Sequence, residues 1–226
     1  MPRLYYTETQ PLEGWRKKHD VIRFHWWWWV NRFYMRFWFR LSVEGDENIP
    51  TSGPAILTSN HIGFLDANII SAASPRKVSF MIAREWHDQT GVNWMCRFLG
   101  CIPVNRSGQD IAAVKGALKA LSQGHLLGAF PEGGISESGE MRDSKLGIAL
   151  LAIRSGVPVV PIHLSGYRIQ SLPATFLLPK KLSIRVGKPL VFREEDHKNR
   201  ESLERVTEAV SEAIRCLGNG ADNDAG

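Results

Sequence analysis

Beyond residue 40 the chain alternates short apolar segments with longer segments of helical pattern, and this alternation restricts its fold more than any other feature. The strand-like segments are residues 41–44, 55–59, 77–83, 101–104, 126–130, 159–164 and 182–186. The helix-like segments are residues 65–73, 92–99, 109–122, 145–154 and 200–216. Strands separated by helices of this length form crossover connections. We therefore predict an α/β fold with a mostly parallel sheet covered by helices on both faces.

The length of 226 residues fits one globular domain with extensions. We predict a helical segment over residues 1–40, a main domain over residues 41–217 and a disordered tail over residues 218–226, which are small and polar. The three cysteines, Cys96, Cys101 and Cys216, are odd in number and lack metal-ligand spacing. Reduced thiols in a cytosolic setting are the simplest interpretation.

Residues 1–40 differ in character from the rest of the chain. They contain eight basic and three acidic side chains, so they hold the whole formal net charge of +5 and leave the remainder neutral. Basic and aromatic residues are interleaved there, and helical spacing sorts them into two stripes. The basic stripe comprises Arg32, Arg36 and Arg40, and the aromatic stripe comprises Trp26, Val30, Phe33 and Phe37.

This pattern favours an amphipathic aromatic helix, or a pair of helices, lying in a membrane surface, because aromatic rings prefer the headgroup layer and Arg pairs with lipid phosphate. The longest apolar run, residues 26–30, is far shorter than the roughly 18 residues that span a bilayer. An aromatic helix packed on the core is the alternative. Binding of single-stranded nucleic acid is disfavoured, since the rest of the chain is neutral. No secretion signal is visible near Met1, so we expect a peripheral or monotopic protein on the cytoplasmic face of a membrane.

A histidine and a carboxylate stand five residues apart in residues 60–66, Asn-His-Ile-Gly-Phe-Leu-Asp, directly after a predicted strand. Of the seven histidines, only His61 has an acidic residue at this spacing, Asp66. A turn followed by a helix starting near Asp66 could aim the carboxylate at the imidazole. A carboxylate on one ring nitrogen fixes the tautomer, so that the other nitrogen can take a proton from a hydroxyl. A loop histidine with a helix-capping aspartate is the alternative.

Three further segments follow in a fixed order. They are Gly-Cys-Ile-Pro-Val-Asn-Arg at 100–106, Phe-Pro-Glu-Gly-Gly-Ile-Ser at 130–136 and Val-Pro-Val-Val-Pro at 157–161. Together with residues 60–66 they resemble the four ordered blocks of the glycerolipid acyltransferases of the lysophosphatidic acid acyltransferase type. The resemblance spans residues 41–190, so residues 41–217 resemble an acyltransferase domain, and it implies that His61 and Asp66 are catalytic.

The resemblance also implies substrate-binding roles for three basic residues. Arg106, which ends the second block, holds the acceptor's phosphate in the family, and Arg is suited to bidentate contact with it; a surface ion pair is the alternative. Lys145 stands near a predicted helix start, where the family commonly carries a Lys, and a helix N-terminus adds affinity for anions. Arg84 occupies a position where the family often has Lys, and it faces either the same cleft or solvent.

The third block implies an acceptor pocket lined by Glu132 and Gly133. Glu132 can accept a hydrogen bond from a glycerol hydroxyl, and glycine lets backbone N–H groups approach a ligand. Alone, Pro-Glu-Gly-Gly is only a good turn. The family continues with Thr-Arg-Ser, whereas this chain has Gly-Ile-Ser, with Ile135 at the position of the Arg. The fourth block is expected to be mainly structural, with prolines that shape the acyl-binding wall.

These features predict an enzyme that transfers an acyl group from acyl-CoA or acyl carrier protein to a lysophospholipid and makes phosphatidic acid. Backbone N–H groups of the glycine-bearing loops are the expected oxyanion donors. We expect no acyl-enzyme, no metal and no cofactor. The alternatives are transfer to glycerol 3-phosphate or to another lyso-lipid such as an aminolipid, a thioesterase that activates water, and a non-catalytic lipid-binding protein.

Overall fold

Seven strands form one sheet in the part of the chain that the computed structural model describes, residues 18–105, 110–135, 146–167, 172–192 and 199–219. In chain order they are β1 (Ser42–Glu44), β2 (Ala55–Ser59), β3 (Val78–Ala83), β4 (Ile102–Val104), β5 (Leu126–Ala129), β6 (Val159–Ser165) and β7 (Ser183–Val186). The sheet order is β1-β7-β6-β2-β5-β3-β4, and every neighbouring pair is parallel except β6 and β7. The prediction of an α/β fold with a mostly parallel sheet is confirmed.

Eight α-helices lie in the same described stretches. They are α1 (Lys18–Phe37), α2 (Asp66–Ala73), α3 (Arg84–His87), α4 (Asn93–Leu99), α5 (Ile111–Ser122), α6 (Gly147–Ser155), α7 (Leu172–Leu177) and α8 (Arg200–Asn219). The five helices predicted beyond residue 40 correspond to α2, α4, α5, α6 and α8. The short helices α3 and α7 were not predicted, because four and six residues are too few to show helical periodicity.

The helices cover both faces of the sheet and enclose two cores. One core packs side chains of α1 and α2 against strand residues that include Leu57 and Val160. The other packs side chains of α5, α6 and α8 against Ile56, Leu127 and Val159. Successive strand residues point to opposite faces, so neighbours such as Ile56 and Leu57 belong to different cores. This two-sided burial explains why the central strands are mostly apolar.

The C-terminal helix α8 is longer than predicted. We expected it to end at Cys216 and the tail to begin at residue 218, but the helix continues to Asn219. Its last turn is held by the neighbouring strand, since the guanidinium of Arg185 in β7 donates to the carbonyl of Leu217 at 3.3 Å. Only residues 220–226 of the predicted tail lie outside the described residues.

One side of α1 packs against α2 and the sheet. Met35 in this helix and Phe39 just beyond it are fully buried in the core that also contains Leu57. The indole of Trp28 donates to the carbonyl of Ser74 at 3.1 Å. The predicted boundary at residue 40 therefore cuts through one packed unit, because residues before it contribute to the core of the main domain.

The opposite side of α1 is exposed and apolar. Its exposed residues follow helical spacing and are Ile22, Trp26, Trp29, Val30, Phe33 and Phe37, which we call the outer face of α1. The exposed fraction reaches 73% for Trp26. All four residues of the predicted aromatic stripe lie on this face. In the described part of the chain, which leaves out residues 1–17, none of the helices has the length and apolar character needed to cross a membrane.

Arg32 does not join the exposed basic residues that the sequence predicted. Its guanidinium donates to the carbonyl of Ala72 at 3.0 Å and lies 5.1 Å from the ring centre of Trp28. Ala72 is in the last turn of α2, where a cation is favoured by the helix dipole. Burial lowers the pKa of Arg32 from its ordinary value. Of the predicted basic stripe, only Arg36 and Arg40 are exposed.

Candidate active site

The adjacent parallel strands β6, β2 and β5 bring three loops to one edge of the sheet. The chain leaves β2 into residues 60–66, β5 into residues 130–135 and β6 into residues 166–167. The amide side chain of Asn60 fixes the first loop, since it donates to the carbonyl of Leu164 at 2.9 Å and accepts from the Leu164 N–H at 2.8 Å. In open α/β sheets, ligands bind beyond the carboxyl ends of the strands. The first and third blocks therefore meet where a site is expected.

The buried carboxylate of Asp66 organises the loop that follows β2. Its Oδ2 atom lies 2.7 Å from His61 Nδ1 and accepts hydrogen bonds from the backbone N–H groups of Ile62 at 2.8 Å and Gly63 at 3.1 Å. Asp66 is the first residue of α2, and these contacts fold the loop back over it. The sequence predicted this orientation of the carboxylate toward the imidazole. The two side chains are 16% and 1% exposed for His61 and Asp66, so the ring reaches the surface and the carboxylate does not.

Tyr167 also contacts the buried carboxylate. Its hydroxyl donates to Asp66 Oδ1 and accepts from the N–H of Leu65 at 3.1 Å. Gly166 turns the chain here with φ +97°, and a Cβ at that position would lie 1.9 Å from the carbonyl oxygen of Lys181. A Cβ at Gly63 would lie 2.7 Å from the Tyr167 ring. Glycine is therefore required on both sides of this contact.

The imidazole of His61 is held on a second side by the loop that follows β5. Its ring stacks on Phe130, with 4.0 Å between ring centres and 13° between ring planes. Phe130 in turn lies parallel to Phe80 of β3. A Cβ at Gly128 would lie 2.3 Å from the Phe80 ring, so the glycine in β5 leaves the space that the ring occupies. The stack orients the imidazole while it leaves one edge of the ring accessible.

The candidate acceptor residues Glu132 and Gly133 lie beside His61. The Oε1 atom of Glu132 accepts from the backbone N–H of His61 at 2.9 Å, and Glu132 is buried. This bond ties the third block to the first. Gly133 is exposed and has φ +65°, and its N–H donates to the carbonyl of Phe130 at 3.2 Å. Glycine adopts this left-handed backbone conformation without strain.

Of the three candidate basic residues, Arg84 is in the described part of the chain, whereas Arg106 and Lys145 lie outside it. Arg84 is the first residue of α3 and is exposed, and its Nε atom donates to the side chain of Asn105 at 2.7 Å. Asn105 directly precedes Arg106. The structure thus joins Arg84 to the second block at the carboxyl ends of β3 and β4.

The fourth block lies within the sheet. Val159, Val160 and Pro161 are buried residues of β6, and Pro161 pairs with Thr58 of β2. Their position in the core of the sheet accounts for the apolar sequence. Among the residues that the structure describes, no cluster of three or more His, Cys, Asp or Glu side chains is arranged to hold a metal ion.

Sequence reasoning missed two aromatic residues of this site, Tyr167 and the stacking role of Phe130. The fourth block ends at residue 161, whereas the predicted strand that contains it continues to residue 164. A strand that neighbours β2 must end at the same edge, so the glycine and tyrosine just beyond it were a usable indication. The spatial order of the strands was needed to recognise it, and that order was not available from the sequence.

Comparison with known proteins is consistent with this geometry. A profile described as Acyltransferase matches residues 40–165, more than half of the chain. The chain is 32% identical over 137 residues to the chloroplastic 1-acyl-sn-glycerol-3-phosphate acyltransferase of Arabidopsis thaliana. The aligned region covers 57% of this chain and 36% of that relative. The chain is also 24% identical over 184 residues to the 1-acyl-sn-glycerol-3-phosphate acyltransferase of Bacillus subtilis. That alignment covers 80% of this chain and 90% of the Bacillus protein.

The fold has a solved counterpart. The crystal structure of the 1-acyl-sn-glycerophosphate acyltransferase PlsC from Thermotoga maritima superposes with a TM-score of 0.70 at 24% identity, over 91% of this chain and 84% of that one. At this identity the likeness establishes a shared fold. The family profile spans β2, the loop with His61 and Asp66, the third block and the whole of β6. The chain therefore belongs to the acyltransferase family.

Proposed function

We propose that this chain transfers a fatty acyl group from acyl-CoA or acyl carrier protein to the hydroxyl of a lysophospholipid and converts 1-acylglycerol 3-phosphate to phosphatidic acid. The observation that carries the proposal is the 2.7 Å contact of His61 Nδ1 with the buried carboxylate of Asp66 in a chain of the acyltransferase family. The names of the Arabidopsis and Bacillus relatives support the choice of acceptor.

The proposed mechanism uses His61 as a general base. A Nδ1–H donated to Asp66 leaves the lone pair on Nε2, at the accessible edge of the ring. Nε2 removes the proton of the acceptor hydroxyl while the hydroxyl oxygen bonds to the thioester carbonyl carbon. The tetrahedral intermediate collapses, its C–S bond breaks, and the thiolate takes the proton from the imidazolium. The products are an ester and a free thiol, without an acyl-enzyme.

The anionic headgroup is assigned to the basic residues near the second and third blocks. Arg106 and Lys145 are proposed to bind the acceptor's phosphate, and the contact of Arg84 with Asn105 supports adding Arg84 to this set. Glu132 and Gly133 are proposed to border the glycerol. Glu132 also positions the first loop, since its Oε1 atom accepts a hydrogen bond from the His61 N–H.

We also propose that the outer face of α1 binds a lipid surface, which makes the protein peripheral or monotopic on the cytoplasmic side. The face joins six exposed apolar residues on a helix whose other side is anchored in the core. Exposed apolar patches of this kind mark interaction sites. The exposed Arg36 and Arg40 add positive charge beside it, which favours anionic lipid over an apolar protein surface.

An acceptor screen tests the enzymatic proposal. Purified protein is given acyl-CoA or acyl carrier protein with 1-acylglycerol 3-phosphate, glycerol 3-phosphate, a lyso-aminolipid or no acceptor, and the released thiol and the new ester are measured. We expect ester formation to be fastest with 1-acylglycerol 3-phosphate and to be lost in His61→Ala. Preference for another acceptor, which the Ile135 departure favours, would contradict the assigned substrate, and thiol release without acceptor would indicate a thioesterase.

A further inference from the structure

We propose that Tyr167 is a positioning residue of the transferase, which holds the Asp66 carboxylate in the orientation that His61 requires. The proposal rests on the proposed function, since it assigns His61 and Asp66 to catalysis. Tyr167 lies beyond the fourth block and is not among the candidate site residues predicted from the sequence.

The geometry places the phenol opposite the imidazole on the same carboxylate. Oδ2 of Asp66 receives His61 and two backbone N–H groups, and Oδ1 receives the Tyr167 hydroxyl. A carboxylate bonded at both oxygens cannot rotate about its χ2 angle without breaking a hydrogen bond on each side. The phenol therefore fixes the plane in which Oδ2 meets the Nδ1–H of His61.

The phenol is itself locked in place. Its hydroxyl oxygen accepts from the Leu65 N–H at 3.1 Å, which leaves its proton directed at Asp66. Gly63 contacts one edge of the ring, and Lys180 Nζ lies 5.9 Å from the ring centre. Burial, followed by the nearby carboxylate, raises the pKa of the Tyr167 hydroxyl from its ordinary value, so the hydroxyl stays protonated and remains a donor.

Removal of the phenol has a defined electrostatic consequence. A hydrogen bond at Oδ1 draws negative charge away from Oδ2. In Tyr167→Phe more of that charge faces the imidazole, so the imidazolium is stabilised and the base becomes protonated at a higher pH. Two further charged groups near the pair belong to the described residues: Glu132, which bonds to the His61 backbone, and Lys180 beside the ring. Neither is altered by the substitution.

The test compares Tyr167→Phe with Tyr34→Phe. Tyr34 is a matched control because its hydroxyl also donates to a partly buried acceptor, the carbonyl of Phe176, without contact to Asp66. For Tyr167→Phe we expect kcat to fall roughly 10- to 100-fold, as for loss of a hydrogen bond to a charged group, with both KM values within about twofold of wild type. The acid limb of the kcat/KM profile should move to higher pH. Tyr34→Phe should leave the profile unmoved.

The shape of a pH profile does not depend on how much of the sample is folded. A fall in kcat that matches lost folded protein, with an unmoved acid limb, would show a merely structural tyrosine and overturn the proposal. If Tyr167→Phe does not fold, 3-fluorotyrosine at position 167 keeps the hydroxyl and makes it a stronger donor. It should move the acid limb downward, and an unmoved limb would overturn the proposal.

A second measurement does not depend on the reaction. In protein labelled with 15N-histidine, the Nδ1 proton of His61 is assigned by its absence in His61→Ala, and its chemical shift reports the contact with Asp66. We expect the resonance to shift or broaden in Tyr167→Phe and to be unchanged in Tyr34→Phe. Absence of acyl transfer in the wild type would contradict the proposed function alone. An identical His61 resonance in the folded wild type, Tyr167→Phe and Tyr34→Phe would refute the positioning role.

Discussion

The loop of residues 60–66 and the outer face of α1 carry the two proposed roles, acyl transfer and lipid binding, and their structures differ. In the loop, one buried carboxylate receives two backbone N–H groups and the side chains of His61 and Tyr167. On α1, six apolar side chains point outward from the described chain. The loop depends on individual atoms at fixed distances, whereas the helix face depends on total apolar area. Single substitutions should therefore have large effects in the loop and small, additive effects on the helix.

The largest effect is expected from removal of the imidazole. His61→Ala should lower kcat by about two to four orders of magnitude, because loss of a general base typically costs that much, and Asp66→Asn should also be severely impaired. Thiol release in detergent micelles with saturating acceptor measures both. His87→Ala is the matched control, since His87 also lies 2.7 Å from an aspartate, Asp88, whose side chain is exposed instead of buried. Retention of a third of the activity by His61→Ala would refute the mechanism.

A smaller but still large effect is expected from a single methyl group at Gly63. In Gly63→Ala the added Cβ lies 2.7 Å from the Tyr167 ring, and overpacking of this kind costs about 1–3 kcal/mol of stability. We expect a lower midpoint of thermal unfolding and a loss of activity beyond the loss of folded protein. Gly147→Ala is the control, since a Cβ there meets nothing within 4 Å. Equal behaviour of the two variants would show that the loop tolerates displacement.

An intermediate effect is expected when the apolar area of α1 is reduced. Trp26, Phe33 and Phe37 are 73%, 63% and 67% exposed, and their combined replacement by Ala should weaken binding to anionic vesicles at least tenfold in low and high salt. Sedimentation with vesicles measures this. Ile111→Ala removes a side chain of similar exposure, 65%, from α5 on the other face of the sheet. If Ile111→Ala lowers vesicle binding as much as the triple variant, the lipid contact lies elsewhere.

The smallest effect is expected from the basic residues of the predicted stripe, and we expect Arg32 to behave differently from Arg36 and Arg40. Arg36→Gln with Arg40→Gln should weaken vesicle binding only in low salt, because each contributes about 1 kcal/mol through a screened attraction. Arg32→Gln should lower the thermal midpoint and leave vesicle binding unchanged, since its guanidinium bonds to the carbonyl of Ala72. A salt-dependent loss of vesicle binding in Arg32→Gln would show that this side chain reaches the lipid.

Removal of residues 1–40 is a poor test of the same question. Met35 and Phe39 would be lost from the core with the outer face of α1. Substitutions confined to the exposed positions separate lipid binding from folding.

The fold was predictable to the extent that local pattern determines it. Each of the seven predicted strands is present within one or two residues at either end, because buried parallel strands are continuous apolar runs between turns. The sheet order was not predictable, since it depends on contacts between distant segments. The pairing of β2 with both β5 and β6 brings Glu132 to His61 and Tyr167 to Asp66, and no local pattern encodes that pairing.

The candidate site divides in the same way. The contact of His61 with Asp66 lies within seven residues, so spacing alone could suggest it. The contacts of Asp66 with Tyr167, and of His61 with Phe130 and Glu132, join separate strands and required the structure. Arg32 belongs to the predicted basic stripe, but helical periodicity does not say which residues of a stripe meet α2, and the Arg32 guanidinium bonds to the carbonyl of Ala72.

The close approach of Gly63 to Tyr167 ties the evolutionary histories of two distant positions together. A lineage that acquires a side chain at position 63 has to displace or shorten the residue at position 167, and either change weakens the contact of the hydroxyl with Asp66. A lineage that keeps the tyrosine has to keep the glycine. Among descendants of this chain, Gly63 and Tyr167 should therefore be retained or replaced together, although Gly63 lies in the first block and Tyr167 lies outside all four blocks.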